Sequence, residues 1–385
     1  MNSNFFISND FKLCDLCKSS KFTTLIDFKG KVMTSDHQII LSRLNKIECK
    51  KCGLVRNGFE PDSKKIKNDY QKNYGYNSGT SGDMKYFTPK GSQDRSSHTL
   101  ERILKLLSKK DLNSIKTIVE IGCGEGNLLS NFQKKFPNKK FIGYEINEAA
   151  IKIGKNKGLD IRPLKNSSTI KADLVISYTV IEHTTSPKHF LNLLSKMLNP
   201  GGILILGTPH QDNIFYDIFF VDHLFHFSTK HLQELGRVSD LRLIKKNLGT
   251  WPINSIVLCS FKKSKRKLTS KIIFHKTKVP KSIKYYTKIF DNINIFLAKN
   301  HKLTIFGLGE IFILFFAYTN LKNQKISLSI EDFPSGKFPF PISPSQNIDS
   351  EIIEKIMFCV NPNYYSTILK RLKIPKTKIF LPFKN

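Results

Sequence analysis

The spacing of hydrophobic and polar positions changes along this chain, and from about residue 97 it predicts alternating helices and strands. In HTLERILKLL (98–107), apolar side chains recur three and four residues apart, which predicts a helix with one buried face. KTIVEIG, KKFIGYE, ADLVISY and GGILILG are instead short and mostly apolar, as buried strands are. This alternation predicts an α/β fold.

A glycine-rich turn follows the first of these strands. Gly122, Gly124 and Gly126 form a GxGxG pattern, and glycine lets a backbone turn pass close to a ligand. The next strand ends in Glu145, some twenty residues further on, where a carboxylate can accept hydrogen bonds from both hydroxyls of a ribose. These two features predict a nucleotide-type cofactor, and taken alone they also suit NAD.

Four of the seven cysteines form two CxxC pairs near the N-terminus. Cys14 with Cys17 and Cys49 with Cys52 can each present two thiolates, and two such turns complete a tetrahedral zinc site. We expect a structural Zn²⁺, because all four ligand positions come from the protein. The N-terminal stretch MNSNFFISNDF lacks the pattern of a signal peptide, so we expect a cytoplasmic protein, in which disulfides are the weaker explanation.

Length and composition predict several folded domains and no membrane span. A chain of 385 residues, 40% of them hydrophobic, exceeds one ordinary core. The most apolar segment, LTIFGLGEIFILFFAY (303–318), is too short to cross a membrane and contains Glu310. A buried strand, turn and helix explain this segment better.

The formal net charge of +31 raises the question of a nucleic-acid partner. The basic residues are mostly lysines spread along the whole chain, whereas phosphate and base recognition favours clustered arginines. We therefore expect no nucleic-acid partner. The charge is better suited to attracting an anionic small substrate, such as a nucleotide diphosphate.

The blocks VEIGCGEG, GYEIN, DLVISYTVIEH and LNPGGILILGTP resemble, in order and spacing, the class I S-adenosyl-L-methionine (SAM)-dependent methyltransferases. The resemblance covers roughly residues 115–210 and implies a Rossmann-like domain that binds SAM. The last two blocks argue against NAD. The residues that the resemblance places around the cofactor are Glu120, Gly122, Gly124, Gly126, Glu145, Ile146, Ser177 and Tyr178.

The flanking parts extend the resemblance to the zinc-containing nucleotide-sugar C-methyltransferases. This family has a four-cysteine zinc domain, a central SAM domain and a C-terminal α/β domain, and it methylates nucleotide-linked keto-sugars. The implied organisation is a zinc-binding domain (1–75), a methyltransferase domain (76–261), a basic linker with a helix (262–300) and a Rossmann-like α/β domain (301–385). The expected partner is then a small molecule, a nucleotide-linked keto-deoxysugar.

The heptapeptide DHLFHFS (222–228) resembles the family's block of Glu-His followed by Phe-Ser. Methylating a carbon beside a ketone requires loss of an α-proton, and a histidine with a near-neutral pKa suits that transfer. The resemblance thus implies His223 as the base and Asp222 as the carboxylate that orients it. It places Tyr76, within NYGYNSGTSGDM (73–84), where a hydroxyl could stabilise the developing oxyanion.

Three other interpretations remain open on the sequence alone. The chain could methylate an oxygen or a nitrogen of a sugar or another small polar acceptor. It could also be a zinc-bearing nucleic-acid-binding protein with a degenerate methyltransferase fold, although the intact glycines and Glu145 argue against this. The heptapeptide itself could be a polar seam where a loop packs on a sheet.

Overall fold

The fold is described from a computed structural model of the chain. The residues that the structure describes are 6–10, 13–62, 64, 68, 70–71, 83, 85–88, 91–164, 170–249, 255–264, 268, 272–331, 341–345, 351–372 and 374–384. The predicted Tyr76 lies outside these residues.

The N-terminal part is built from antiparallel strands. Its strands are β1 (Phe6–Asp10), β2 (Phe22–Met33), β3 (Ile39–Cys49), β4 (Val55–Asn57) and β5 (Phe59–Pro61). Strands β2 and β3 form a long hairpin in which Phe22 lies opposite Cys49 and Met33 lies opposite Ile39. Strand β4 pairs with β3. The hairpin thereby carries Cys49 at one end and residues 34–38 at the other. A second hairpin follows, made of β6 (Lys85–Thr88) and β7 (Gly91–Asp94).

A seven-stranded sheet with the order β10-β9-β8-β11-β12-β15-β14 forms the centre of the fold. Its strands are β8 (Thr117–Ile121), β9 (Lys140–Glu145), β10 (Ile161–Pro163), β11 (Ala172–Tyr178), β12 (Leu198–Pro209), β14 (Leu241–Asn247) and β15 (Ile256–Lys263). The five strands from β10 to β12 are parallel, and β15 and β14 are antiparallel. The strand order reverses between β8 and β11, and ligands of α/β sheets bind at such a switch point.

Helices cover this sheet where the hydrophobic spacing predicts them. They are α1 (Arg95–Leu106), α2 (Lys109–Ser114), α3 (Asn127–Lys135), α4 (Glu148–Asn156), α5 (Pro187–Met197) and α6 (Thr229–Arg237). The helix predicted over 98–107 begins three residues earlier, at Arg95. Its apolar face, which includes Leu100 and Ile103, is buried as expected. The short strand β13 (Phe225–His226) lies just before α6 but pairs with β4 of the N-terminal sheet.

A second, five-stranded parallel sheet with the order β18-β17-β16-β19-β20 forms the C-terminal part. Its strands are β16 (Lys302–Phe306), β17 (Lys325–Glu331), β18 (Ile342–Pro344), β19 (Ile356–Phe358) and β20 (Ile379–Phe380). Its helices are α7 (Val279–Ala298), α8 (Glu310–Tyr318) and α9 (Tyr365–Arg371). Among the described residues, no helix is both long and apolar enough to span a bilayer.

The four-stranded N-terminal sheet, the seven-stranded central sheet and the five-stranded C-terminal sheet are packed together through shared hydrophobic cores. Phe219 and Phe220, which precede β13, pack in one cluster with Met33 of β2 and Phe290 of α7. The stretch from Phe219 to His226 thus contacts both flanking parts although it is continuous with the central sheet. The domain boundaries stated above stay a prediction.

Candidate cofactor and acceptor site

The glycine-rich turn joins β8 to α3 and has the conformation that its glycines allow. Gly122, Gly124 and Gly126 have φ angles of 73°, 55° and 78°, a region that residues with a Cβ rarely adopt. A Cβ on Gly122 would lie 2.3 Å from Cγ2 of Val180, in the segment that follows β11. The turn is therefore in direct contact with the chain that leaves the neighbouring strand.

The carboxylate of Glu145 lies against this turn. Gly124 N donates to Glu145 Oε2 at 2.8 Å, and the backbone N–H groups of Ile146 and Asn147 donate to Oε1 at 2.7 and 3.0 Å. The two sequence features that predict a nucleotide-type cofactor thus meet at the carboxyl ends of adjacent strands, β8 and β9. Glu145 therefore holds the backbone of the turn in place.

Three further predicted residues have buried polar atoms for which the described part of the chain provides no hydrogen-bond partner. These atoms are Glu120 Oε2, Ser177 Oγ and the Tyr178 hydroxyl. Burial, together with the charge of Glu145, raises the pKa of Glu120 to about 8. Unpaired buried polar atoms are costly, so their gathering at the ends of β8 and β11 fits a site that a polar ligand completes.

The segment that contains the predicted base is held by the N-terminal sheet. Lys46 of β3 is fully buried, and its Nζ donates to the carbonyl oxygens of Phe220 and His223 at 2.9 and 2.7 Å. Asn57 of β4 donates through Nδ2 to the carbonyl of Val221 at 3.0 Å. Burial lowers the pKa of Lys46 to about 7. The backbone around His223 is thus positioned by residues about 170 positions away in sequence.

The side chain of His223 pairs with Asp217, a residue that the sequence analysis did not single out. Nδ1 of His223 donates to Oδ1 of Asp217, and Nδ1 of His226 donates to Oδ2 at 2.6 Å. Burial alone would lower the pKa of His223, but the negative charge of Asp217 raises it to about 9. The two histidines in turn hold the pKa of Asp217 well below its usual range, against the opposite effect of burial.

Asp222, the carboxylate expected to orient His223, is bonded elsewhere. Its oxygens accept from the N–H and the hydroxyl of Ser35 at 2.9 and 2.7 Å, and from the Tyr70 hydroxyl at 3.2 Å. Asp222 acts on His223 through its charge, which adds to the raised pKa.

Tyr70 links the cofactor side of the site to these residues. Its carbonyl accepts from Asn147 Nδ2 at 2.9 Å, and its hydroxyl lies 2.6 Å from Nδ1 of His183. Because Nδ1 of His183 also lies 3.1 Å from the carbonyl oxygen of Asp222, which can only accept, Nδ1 carries the proton. Burial lowers the pKa of His183 to about 4, so this imidazole is neutral at neutral pH.

Glu182 completes the group that we call the polar cluster: Glu182, His183, Asp217, Asp222 and His223. Thr208 donates to Glu182 Oε2 at 2.8 Å, and Oε1 is buried with no hydrogen-bond partner among the residues that the structure describes. Burial raises the pKa of Glu182 to about 7. The signal that could have found Glu182 and His183 is their position in VIEH, directly after the carboxyl end of β11.

The four N-terminal cysteines gather in one place. Sγ of Cys14 lies 3.6 Å from Sγ of Cys52, Sγ of Cys17 lies 3.4 Å from Sγ of Cys49, and all four sulfurs lie within 4.8 Å of one another. A tetrahedral zinc ion with Zn–S bonds of about 2.3 Å would place its sulfurs about 3.8 Å apart. The cysteine positions are therefore compatible with zinc.

Comparisons with known proteins agree with the central fold. Residues 92–246 match the family model described as a methyltransferase domain. The mitochondrial ubiquinone biosynthesis O-methyltransferase of Dictyostelium discoideum is 26% identical over 149 residues, which are 32% of this chain and 46% of that protein. The ubiquinone biosynthesis O-methyltransferase of Caulobacter vibrioides is 33% identical over 106 residues, 25% of this chain and 41% of that protein. The chain thus spans less than half the length of each of these two relatives.

Two solved structures are similar to the central part. A possible histamine N-methyltransferase of Thermotoga maritima has 18% sequence identity and a TM-score of 0.36, covering 44% of this chain and 89% of that one. An amino pentose methyltransferase of Micromonospora echinaspora has 13% identity and a TM-score of 0.34, covering 44% and 90%. The family match over residues 92–246, together with the parallel sheet described above, confirms the prediction of a Rossmann-like class I methyltransferase domain.

Proposed function

We propose that this protein is a SAM-dependent methyltransferase whose acceptor is a nucleotide-linked keto-sugar, methylated at a carbon beside the ketone. The observation that carries the proposal is the position of the polar cluster. Val180, which packs against Gly122 of the glycine-rich turn, is two residues before Glu182. A buried set of acid–base groups therefore lies beside the expected methyl donor, where an acceptor must lose a proton.

The proposed chemistry needs one proton acceptor. The acceptor sugar loses an α-proton to form an enolate, whose carbon attacks the sulfonium methyl group, and the sulfur keeps the electron pair of the broken bond. His223 stays the predicted base. Because Asp217 holds Nδ1 of His223, Nε2 is the ring nitrogen that would take the proton. The pKa of His223, raised to about 9, keeps Nε2 protonated at neutral pH, so His223 acts as the base only in its deprotonated form, whose share increases as the pH rises towards 9. The net charge of +31 supports an anionic acceptor such as a nucleotide diphosphate sugar.

The atom to which the methyl group is bonded in the product tests the proposed function. The protein should be incubated with SAM carrying a ¹³C-labelled methyl group and with a panel of nucleotide-linked sugars with and without a ketone. We expect a labelled methyl group bonded to carbon, seen by NMR, with ketone-containing acceptors only. A methyl group on oxygen or nitrogen would contradict C-methylation, and the absence of any product with the whole panel would contradict the sugar acceptor.

O-methylation is the second candidate, and the curated relatives favour it. The two relatives described above carry O-methyltransferase names. A hydroxyl acceptor also loses a proton, so the polar cluster would serve it equally well. The same labelled product separates the two candidates, since the methyl carbon of an ether and a methyl carbon bonded to carbon have different ¹³C chemical shifts.

We propose that the four N-terminal cysteines bind one structural zinc ion. The closeness of the four sulfurs supports this, and a site with four protein ligands offers no open position for chemistry. The hairpin β2–β3 joins this site to Lys46, so the zinc would stabilise the sheet on which the segment around His223 rests.

Glu145→Ala should weaken SAM binding by at least about tenfold, because the substitution removes charge-assisted hydrogen bonds worth about 1.5–3 kcal/mol each. Titration calorimetry measures the affinity. Asp160→Ala is the matched control, since Asp160 is an exposed carboxylate paired with Arg162 near the same sheet edge, and its loss should leave the affinity unchanged. If the Glu145 variant binds SAM as tightly as the parent does, Glu145 does not bind the ribose.

A further inference from the structure

Three side chains of the polar cluster bring possible metal ligands close together. One ligand atom each from Glu182, His183 and His223 lies within 4.8 Å of the other two. Glu182 is 1% exposed, and His223 is 4% exposed. Within the part of the chain that the structure describes, Oε1 of Glu182 is buried and has no hydrogen-bond partner, although an unpaired buried carboxylate oxygen is strongly unfavourable.

Each of these side chains is fixed through its other polar atom. Thr208 donates to Oε2 of Glu182, which leaves Oε1 for a ligand. Asp217 accepts from Nδ1 of His223, and the carbonyl of Asp222 accepts from Nδ1 of His183. Histidine ligands of metal ions characteristically donate their second N–H to a carboxylate or a carbonyl in this way, which fixes the tautomer and directs the lone pair of Nε2.

We propose that Glu182, His183 and His223 bind a divalent first-row transition-metal ion, through Oε1 of the glutamate and Nε2 of both histidines. Two imidazoles and one carboxylate are a ligand set that such ions prefer over Ca²⁺ and Mg²⁺, and three protein ligands leave positions open for a substrate oxygen. The ion would explain how the buried oxygen of Glu182 is compensated. This site is separate from the four cysteines, which bind through sulfur alone.

The position of the site gives the ion a role in methyl transfer. Glu182 follows Val180, whose side chain contacts Gly122 of the glycine-rich turn, so the ion would lie beside the methyl donor. Bound to the acceptor's oxygen, it would increase the acidity of the adjacent C–H or of the hydroxyl itself. This role rests on the proposed function, but the binding of the ion does not. A metal on Nε2 would make His223 a ligand in place of the base.

Calorimetric titration with Co²⁺ tests the site without any acceptor. The full chain is first loaded with zinc at the cysteines and then titrated. We expect one further equivalent of Co²⁺ to bind, with a visible spectrum that lacks the strong sulfur charge-transfer bands of a thiolate site. Glu182→Gln and, separately, His183→Ala should each weaken this binding by about 100-fold or more. Asp217→Asn changes the bonds that support His223 and His226, and it should weaken the binding by about 10–100-fold.

Glu234→Gln provides the matched control, since Glu234 is also a buried glutamate, but it pairs with Arg237 on α6. This variant should bind Co²⁺ as the parent does. Circular dichroism and the zinc content establish that each variant is folded, and the partly exposed His183 is the substitution least disruptive to the core.

The metal proposal is overturned if the folded parent protein binds no Co²⁺ beyond the cysteine site, or if Glu182→Gln and His183→Ala bind it unchanged. Methyl transfer that persists after chelation of all but the cysteine-bound metal would remove its role in catalysis. A methyl group found on carbon without such an ion would leave the proposed function intact and favour His223 as the base. A bound ion together with a methyl group on oxygen or nitrogen would support the metal site and contradict the proposed C-methylation.

Discussion

Replacing His223 with alanine is expected to lower the turnover of methyl transfer by about 10²–10⁴-fold while the affinity for SAM stays nearly unchanged. The substitution removes the imidazole that Asp217 orients within the polar cluster, but it leaves the hydrogen bonds of Glu145 to the glycine-rich turn in place. Single-turnover assays give the rate of the chemical step, and calorimetry gives the cofactor affinity. Exchange of the acceptor's α-hydrogen with deuterated water should disappear as well.

His226→Ala is the control for this experiment. His226 is as deeply buried as His223 and hydrogen-bonds to the same carboxylate. We expect the His226 variant to be less stable to heat, with a turnover close to that of the parent. If both variants lose stability and keep the same turnover, DHLFHFS is a packing seam and the predicted role of His223 is wrong.

Loss of the cysteine site is the second large expected effect. A Cys14→Ser, Cys49→Ser double variant should contain no zinc, lose the order of its N-terminal sheet and transfer no methyl groups, yet still bind SAM. The binding free energy of a structural zinc ion, about 10–16 kcal/mol in small zinc folds, is comparable to the whole stability of a domain. Elemental analysis, circular dichroism and calorimetry measure the three outcomes.

The loss of turnover expected for the double cysteine variant follows from the way in which the N-terminal part holds the segment around His223. Ser35, Lys46 and Asn57 all belong to the N-terminal part, and they bind Asp222, the carbonyl of His223 and the carbonyl of Val221. The turn of Gly122 to Gly126 and Glu145 receives none of these bonds. Acceptor chemistry and cofactor binding should therefore separate in this variant.

Cys359→Ser is the matched control for the cysteine variant. Cys359 is a buried free cysteine beside the C-terminal sheet, far along the chain from the two CxxC pairs. This variant should keep one zinc ion per chain. A double cysteine variant that retains normal folding and turnover without metal would show that the four thiols have another role.

The local patterns of the sequence were sufficient to predict the glycine-rich turn and the grouping of the four N-terminal cysteines. A glycine-rich turn between a buried strand and a helix depends on residues within a few positions of one another, and the positive φ angles of Gly122 and Gly126 are the conformations that glycine favours. The spacing of a CxxC pair likewise sets two sulfurs side by side. The strand ending at Glu145 was recognisable because it is short, apolar and bounded by polar residues.

Only the tertiary structure decided which groups meet in the polar cluster. Asp217 is six residues before His223, but it lies in the short helical turn Tyr216–Phe219, and no helical or strand period relates the two. Ser35 and Asp222 are 187 residues apart, and Tyr70 and His183 are 113 residues apart. Such pairs arise when separate sheets pack together. Because a buried polar group needs a hydrogen-bond partner, it bonds with the polar group that the packing brings near. A linear pattern carries no signal for that choice.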